Sequence, residues 1–147
     1  MKSPRRPRWP ANPRAHERVV NRLEPFNSEE LLRLELSIRM SYQAFMSGKA
    51  TEHDFHDLVA AANSTLVRSE QIGEECNAIA LAATDALRNV WDRFERTGRW
   101  GFDFSDRDAI GMGIELHEEL IRNSTPEQMV RAMREVLKRC DQQRAAA

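Results

Sequence analysis

From Glu74 to Thr97 the apolar residues Cys76, Ile79, Ala80, Ala83, Leu87, Val90, Trp91 and Phe94 return at intervals of three and four. That spacing lines them along one face of an α-helix, and it constrains the fold of this chain more than any other feature. The alanines in the first half favour helix and let a neighbouring backbone approach closely. Gly98 supplies a C-terminal stop. Four further segments repeat the pattern. Ser28 is an N-cap followed by Glu29 and Glu30 in the positive first turn. Behind it, Leu31, Leu34, Ile38, Tyr42 and Phe45 form one stripe and Leu32, Leu36 and Met40 a second, before Gly48 ends the run. Two stripes on one helix predict burial on more than one side. Thr51 and Asp54 form a shortened capping box ahead of Phe55, Leu58, Val59, Ala62 and Leu66, and "SEQIG" closes that helix at Gly73.

The fourth helix is predicted to start near Ser105, capped by Ser105 and Asp108, with Ile110, Ile114, His117 and Ile121 on its inner face and Leu116 and Leu120 widening it. Gly111 and Gly113 weaken it by about 1 kcal/mol each relative to alanine. The last helix carries the strongest start signal, with Thr125 as cap, Pro126 in the first turn and Gln128 completing the box. Met129, Val130, Met133, Val136, Leu137 and Cys140 face inward, and "QQRAAA" is expected to fray. No segment outside "RWGFDF" alternates like a strand. The class is therefore all-α: a small helical bundle of four main helices plus a short N-terminal helix, preceded by an extended basic Pro/Arg-rich arm. The domain reading is an arm over 1–26, a bundle over 27–143 and a tail over 144–147. Within the arm, "AHERVVNRL" (15–23) can form a short helix, stopped near Pro25.

The net charge of −1 hides an asymmetry. Residues 1–23 hold seven basic side chains against Glu17 alone, a balance of +6, so the remainder carries −7. Arg5, Arg6, Arg8 and Arg14 surround Trp9 in a segment with four prolines in its first fourteen residues. Arginines neutralise phosphates and an indole stacks on an unpaired base, so nucleic-acid binding through residues 1–22 is one use of the arm. An acidic protein groove, the chain's own acidic body, or plain solvation are the others. No apolar run approaches the ~18 residues of a membrane helix, and the basic start has no apolar core behind it to make a secretory signal. Two cysteines, Cys76 and Cys140, fit reduced thiols in a cytoplasm better than a disulfide framework.

The stretch "RTGRWGFDFSD" (96–106) places Trp100, Phe102 and Phe104 on alternate positions. An extended run turns all three to one side, where they can plug the open end of the bundle, with Phe104 stapling the start of the fourth helix. The competing reading is an exposed Arg99–Trp100 anchor that grips a partner, since Trp and Arg are favoured at binding hot spots.

Tests for chemistry return little. His53 and His56 share a helix face, with Asp57 and Glu52 in reach at a spacing of four, and joining them to His117 for a metal has no support from spacing. An exposed polar first turn is the simpler reading, and His117 is expected to be a buried histidine with a backbone or carboxylate partner. There is no HExxH, P-loop, GxGxxG or GxSxG. Arg131, Arg134 and Lys138 raise a helix-turn-helix reading of the last two helices, but Glu127–Arg131 and Glu135–Arg139 are ordinary i,i+4 pairs. No catalytic residue, cofactor or metal ligand is expected.

The string "FERTGRWGFD", the proline- and arginine-rich start and the late "AMREVLKR" helix resemble small uncharacterised helical proteins carried by prophages of Gram-negative bacteria. The likeness extends loosely from the helix at Ser28 to the C-terminus, and "RTGRWGFD" is its specific element. It brings no established activity and no catalytic residue. It implies a phage context in the cytoplasm of a bacterial host cell, where small phage proteins bind and disable host machinery. The expected function is a non-enzymatic protein–protein interaction module that docks on a host protein. Its most concrete form inhibits a host defence nuclease complex, the acidic body competing for a nucleic-acid channel. The alternative is a nucleic-acid-binding accessory or regulatory protein acting through the basic arm. The double stripe of the helix at Ser28 and the alanine-rich helix also suggest a homodimer.

Overall fold

A computed structural model describes residues 28–146, and these form five helices and no strand. They are α1 (Ser28–Met46), α2 (Glu52–Ser69), α3 (Glu74–Thr97), α4 (Phe104–Arg122) and α5 (Pro126–Ala145). The all-α class holds. At 19 residues, α1 is a full-length member of the bundle, so the described residues hold five main helices where the sequence suggested four. The short helix expected over 15–23, and the arm over 1–26 with it, lie outside the described residues. At the other end α5 runs through Gln142, Gln143 and Arg144 to Ala145, past the boundary expected at 143.

Local chemistry sets most of the helix limits. Thr51 and Thr125 accept from the backbone N–H three residues on, while Asp54 and Gln128 reach back to the cap N–H, so both capping boxes form as expected. At the end of α3, Gly98 takes φ +70°, the left-handed conformation that costs glycine little, and its N–H returns to Phe94 O at 2.7 Å. The start of α4 is corrected. Asp103, not Ser105, is the cap, and its reciprocal partner is Asp106, not Asp108. Asp103 also holds the Ser105 hydroxyl at 2.9 Å.

Helix α2 is central and packs on all four others. Phe55 and Leu58 meet Phe45 of α1, Ala86, Leu87 and Val90 of α3, and Ile110 and Ile114 of α4 in the main core. Val67 continues the packing onto Ala132 and Val136 of α5. The most extensive contact is α3 on α4. Gly113 makes it possible: a Cβ there would stand 2.5 Å from Ala83 Cβ. The glycines that weaken α4 as a helix therefore let it pack. Cys76 and Cys140 are free and half-buried against the apolar clusters, as small core-edge residues. His117 is buried, and one of its partners is a hydroxyl: Nδ1 lies 3.0 Å from Thr65 Oγ1. The same hydroxyl donates to Ala61 O of its own helix at 2.8 Å.

One departure from close packing is on α1. Its first stripe is inward, but Leu32, Leu36 and Met40 are 62%, 53% and 63% exposed. They lie on the side opposite Ile38, Tyr42 and Phe45, so α1 is buried on one side only among the described residues.

Candidate functional site: the aromatic corner between α3 and α4

Seven of the chain's aromatic rings meet where α3 turns into α4. Trp100 is their hub, stacked on Phe94 at 3.8 Å between centroids and on Phe55 at 4.9 Å, with Trp91 tilted at 6.0 Å and Phe45 edge-on at 6.2 Å. Phe102 lies flat on Phe45 at 4.5 Å and beside Tyr42 at 5.5 Å. Each such pair adds about 0.5–1.5 kcal/mol beyond the area it buries. The corner is thus a plug that ties α1, α2 and α3 to the connecting loop.

The backbone reason begins at Thr97. Its hydroxyl donates to Arg93 O at 2.8 Å and accepts from Arg99 N–H at 3.2 Å, fixing the turn after Gly98. The chain then doubles back and lays Trp100 over the last turn of α3. Arg93 holds the loop from beneath. Its guanidinium donates to Gly101 O at 3.0 Å, Asp103 at 3.0 Å and Asp106 at 2.9 Å. Asp106 is 2% exposed, so this arginine neutralises a buried carboxylate while fixing both ends of the turn. The Asp103 carboxyl is held below its ordinary value, first by the Asp106 N–H, then by the Ser105 hydroxyl and the Arg93 charge.

Two expectations for this loop are corrected. Phe104 does not staple α4: it is 78% exposed, the most exposed of the large apolar side chains among the described residues. With Asp103 as cap, Phe104 is already the first helical residue, so the alternation of an extended strand ends one residue early and the third ring swings outward. Nor does Trp100 project as a free anchor. It is half-buried in the plug, and only Arg99 beside it is exposed. What remains open to a partner is a shallow depression lined by Arg99, the outer edge of Trp100, Thr97, Phe102 and Asp103, and, at the first residue of α4, the exposed ring of Phe104. Arg93 escaped the sequence reading. Its signal was an arginine at the border of the apolar arc of α3, three residues after Val90 and ten and thirteen residues before two aspartates.

The other candidates are dispersed. His53 faces Asp57 at 3.5 Å and His56 faces Glu52 at 3.3 Å, ordinary pairs within one helix turn. Among the described residues no group of three or more His, Cys, Asp or Glu is arranged to hold a metal, and no helix is long and apolar enough to cross a membrane. Glu127–Arg131 and Glu135–Arg139 pair as expected, and Arg139 also grips Glu70, the residue that caps the end of α2, through two bonds of 2.8 and 2.7 Å. Arg5, Arg6, Arg8, Trp9 and Arg14 lie outside the described residues.

Fold and corner define the class: an all-α bundle whose loop between α3 and α4 is closed by an aromatic plug. The chain matches no family model, and neither a curated protein nor a solved structure matches it significantly.

Proposed function

We propose that this protein is a non-enzymatic interaction module that docks on another protein through the rim of the aromatic corner. The observation that carries the reading is Phe104, a phenyl ring 78% exposed on a rigidly capped helix start, at the end of the connection that carries exposed Arg99 and half-buried Trp100. An aromatic and an arginine on a stiff support suit an interface hot spot, because the backbone that carries them is already ordered before binding. The buried polar groups support a non-catalytic role. Asp106 is held by Arg93, Arg68 by Ser124 at 2.9 Å, and Thr65 by His117 and Ala61, so each serves packing. In the phage context that the loop's resemblance implies, the partner is a host protein. The −7 body directs the choice to a basic surface, in its most concrete form the nucleic-acid channel of a defence nuclease complex.

The test uses the full chain, immobilised and exposed to host proteins. One protein is expected in stoichiometric amount, and the double variant Arg99→Glu, Phe104→Ser should lose it without a change in melting temperature. Repeated capture of nothing, or equal capture by the variant, sinks the proposal. The alternative, nucleic-acid binding by residues 1–22, is favoured by the arginines around Trp9. It requires a gel shift at low salt that disappears when those residues are removed.

A further inference from the structure

The unpartnered stripe of α1 has a neighbour that narrows what can cover it. Arg39 donates to Glu118 of α4 at 2.7 and 2.9 Å, and Glu35 lies 2.7 Å from Arg122 of α4, so α4 runs antiparallel to α1 along one flank of the stripe. On α4, Asp108, Met112, Glu115 and Glu119 are exposed. Helical periodicity sets them on its outward side, and the register of the two ion pairs puts Glu115 and Glu119 level with the Leu36–Met40 end of the stripe. Glu115 is near enough to act on Arg39, whose pKa is raised first by the Glu118 hydrogen bond and further by Glu118, Glu115 and Glu35 charges. The surface is therefore an apolar row bordered at its Leu36–Met40 end by a short acidic row, Glu115 and Glu119.

The chain carries its complement. The twenty-seven residues before Ser28 lead directly into α1, and the sequence predicts a short helix over 15–23. In that helix Ala15, Val19 and Leu23 fall on one line at intervals of four, and Arg18 and Arg22 on another about 100° away, with Arg14 one residue before its start. Residues 24–27, Glu-Pro-Phe-Asn, make a connection of the length that joins antiparallel neighbours. The hand of the helix then decides the fit. With the segment antiparallel on α1 and its apolar line inward, the arginine line falls on the α4 side. A parallel segment would put it on the opposite side, away from the acids. A hairpin register that paired Leu23 with Leu32 would also pair Val19 with Leu36 and Ala15 with Met40, and would bring Arg18 level with Glu119 and Arg14 with Glu115.

We propose that residues 15–23 fold back antiparallel onto α1, covering Leu32, Leu36 and Met40 and setting Arg14 and Arg18 against the acidic row of α4. The occupant is this chain's own segment because tethering through four residues gives it an effective concentration in the millimolar range. Three exposed apolar side chains are also too few for the ~800 Å² that each partner of a stable complex contributes. Residues 1–13, with Arg5, Arg6, Arg8 and Trp9, are left for another role.

The experiment uses the full chain with Cys76→Ala and Cys140→Ala, adding Val19→Cys and Leu36→Cys. Mild oxidation is expected to give an intrachain disulfide in most molecules, at monomer size. A control pair, Val19→Cys with Arg88→Cys on the outer side of α3, should give little. Adding Arg18→Glu should slow the cross-link about threefold, as loss of an exposed ion pair would, and Glu119→Arg should restore it. A disulfide only between two chains identifies a second copy as the occupant and overturns the proposal. A rate equal to the control overturns it too, showing the segment undocked. Unchanged melting of the cysteine-free chain checks that the bundle is intact.

Discussion

Replacing Gly113 by alanine sets two effects of opposite sign against each other. Alanine improves an exposed helix position by about 1 kcal/mol over glycine. At Gly113, however, the new methyl would stand 2.5 Å from Ala83 Cβ. Carbon atoms pack at about 3.5–4.0 Å, so at least 1 Å must be found. Ala83 has no side-chain torsion to yield, so α3 and α4 must separate along their most extensive contact. Overpacking of this kind costs about 1–3 kcal/mol, and a fixed backbone puts the case at the upper end. The net expectation is a loss of about 1–2 kcal/mol. Gly111 lies half a turn away on the same helix and serves as the control. An added Cβ there meets Tyr42 Oη at 3.2 Å, the far end of a ring that can give a few tenths of an ångström. The cost is some weakening of the Tyr42 bond to Arg107 O, and the propensity gain about offsets it. Gly111→Ala should therefore be neutral or slightly stabilising. At roughly 4 °C per kcal/mol for a chain this size, the two variants should melt about 4–8 °C apart. Urea titration followed by circular dichroism measures the same difference. Ala83→Gly in the Gly113→Ala background should recover more stability than it costs in the parent. Equal effects at the two glycines, or stabilisation by Gly113→Ala, would refute the close-contact argument.

Trp100→Ala should destabilise by about 2–4 kcal/mol in the same titration, because it removes the hub of the plug, whereas Phe104→Ser should stay within about 0.5 kcal/mol. Arg93→Ala leaves the buried Asp106 carboxylate without its cation and should cost about 2–4 kcal/mol, part of which Asp106→Asn returns in the double variant. Glu70 is held below its ordinary carboxyl value, first by the hydrogen bond from Arg139 and then by that residue's charge. A depressed folded value means a contribution that is complete above the unfolded value and lost as pH falls through the folded one. Melting temperatures at pH 7 and pH 3 should therefore differ less for Glu70→Gln than for the parent.

Helix existence was legible wherever local chemistry decides it. Thr51 with Asp54, Thr125 with Gln128 and Gly98 act on backbone groups within a few residues, so their roles could be read directly. The start of α4 shows where such reading is ambiguous. Both Asp103 with Asp106 and Ser105 with Asp108 are competent caps in sequence. Arg93, thirteen residues before Asp106, selects the first pair by anchoring both aspartates. That choice moves the helix start by two residues and turns Phe104 from a staple into an exposed ring.

The apolar periodicity, the capping pairs and the charge split between residues 1–23 and the rest are properties of the chain itself, set by local backbone chemistry and composition. Only tertiary structure decided which of α1's two stripes is buried, that His117 pairs with Thr65, that Gly113 is a contact rather than a weakness, and that Trp100 lies inside the plug. Those outcomes depend on distances between residues far apart in sequence. Periodicity says which residues share a face, but only the packed neighbours say what that face meets.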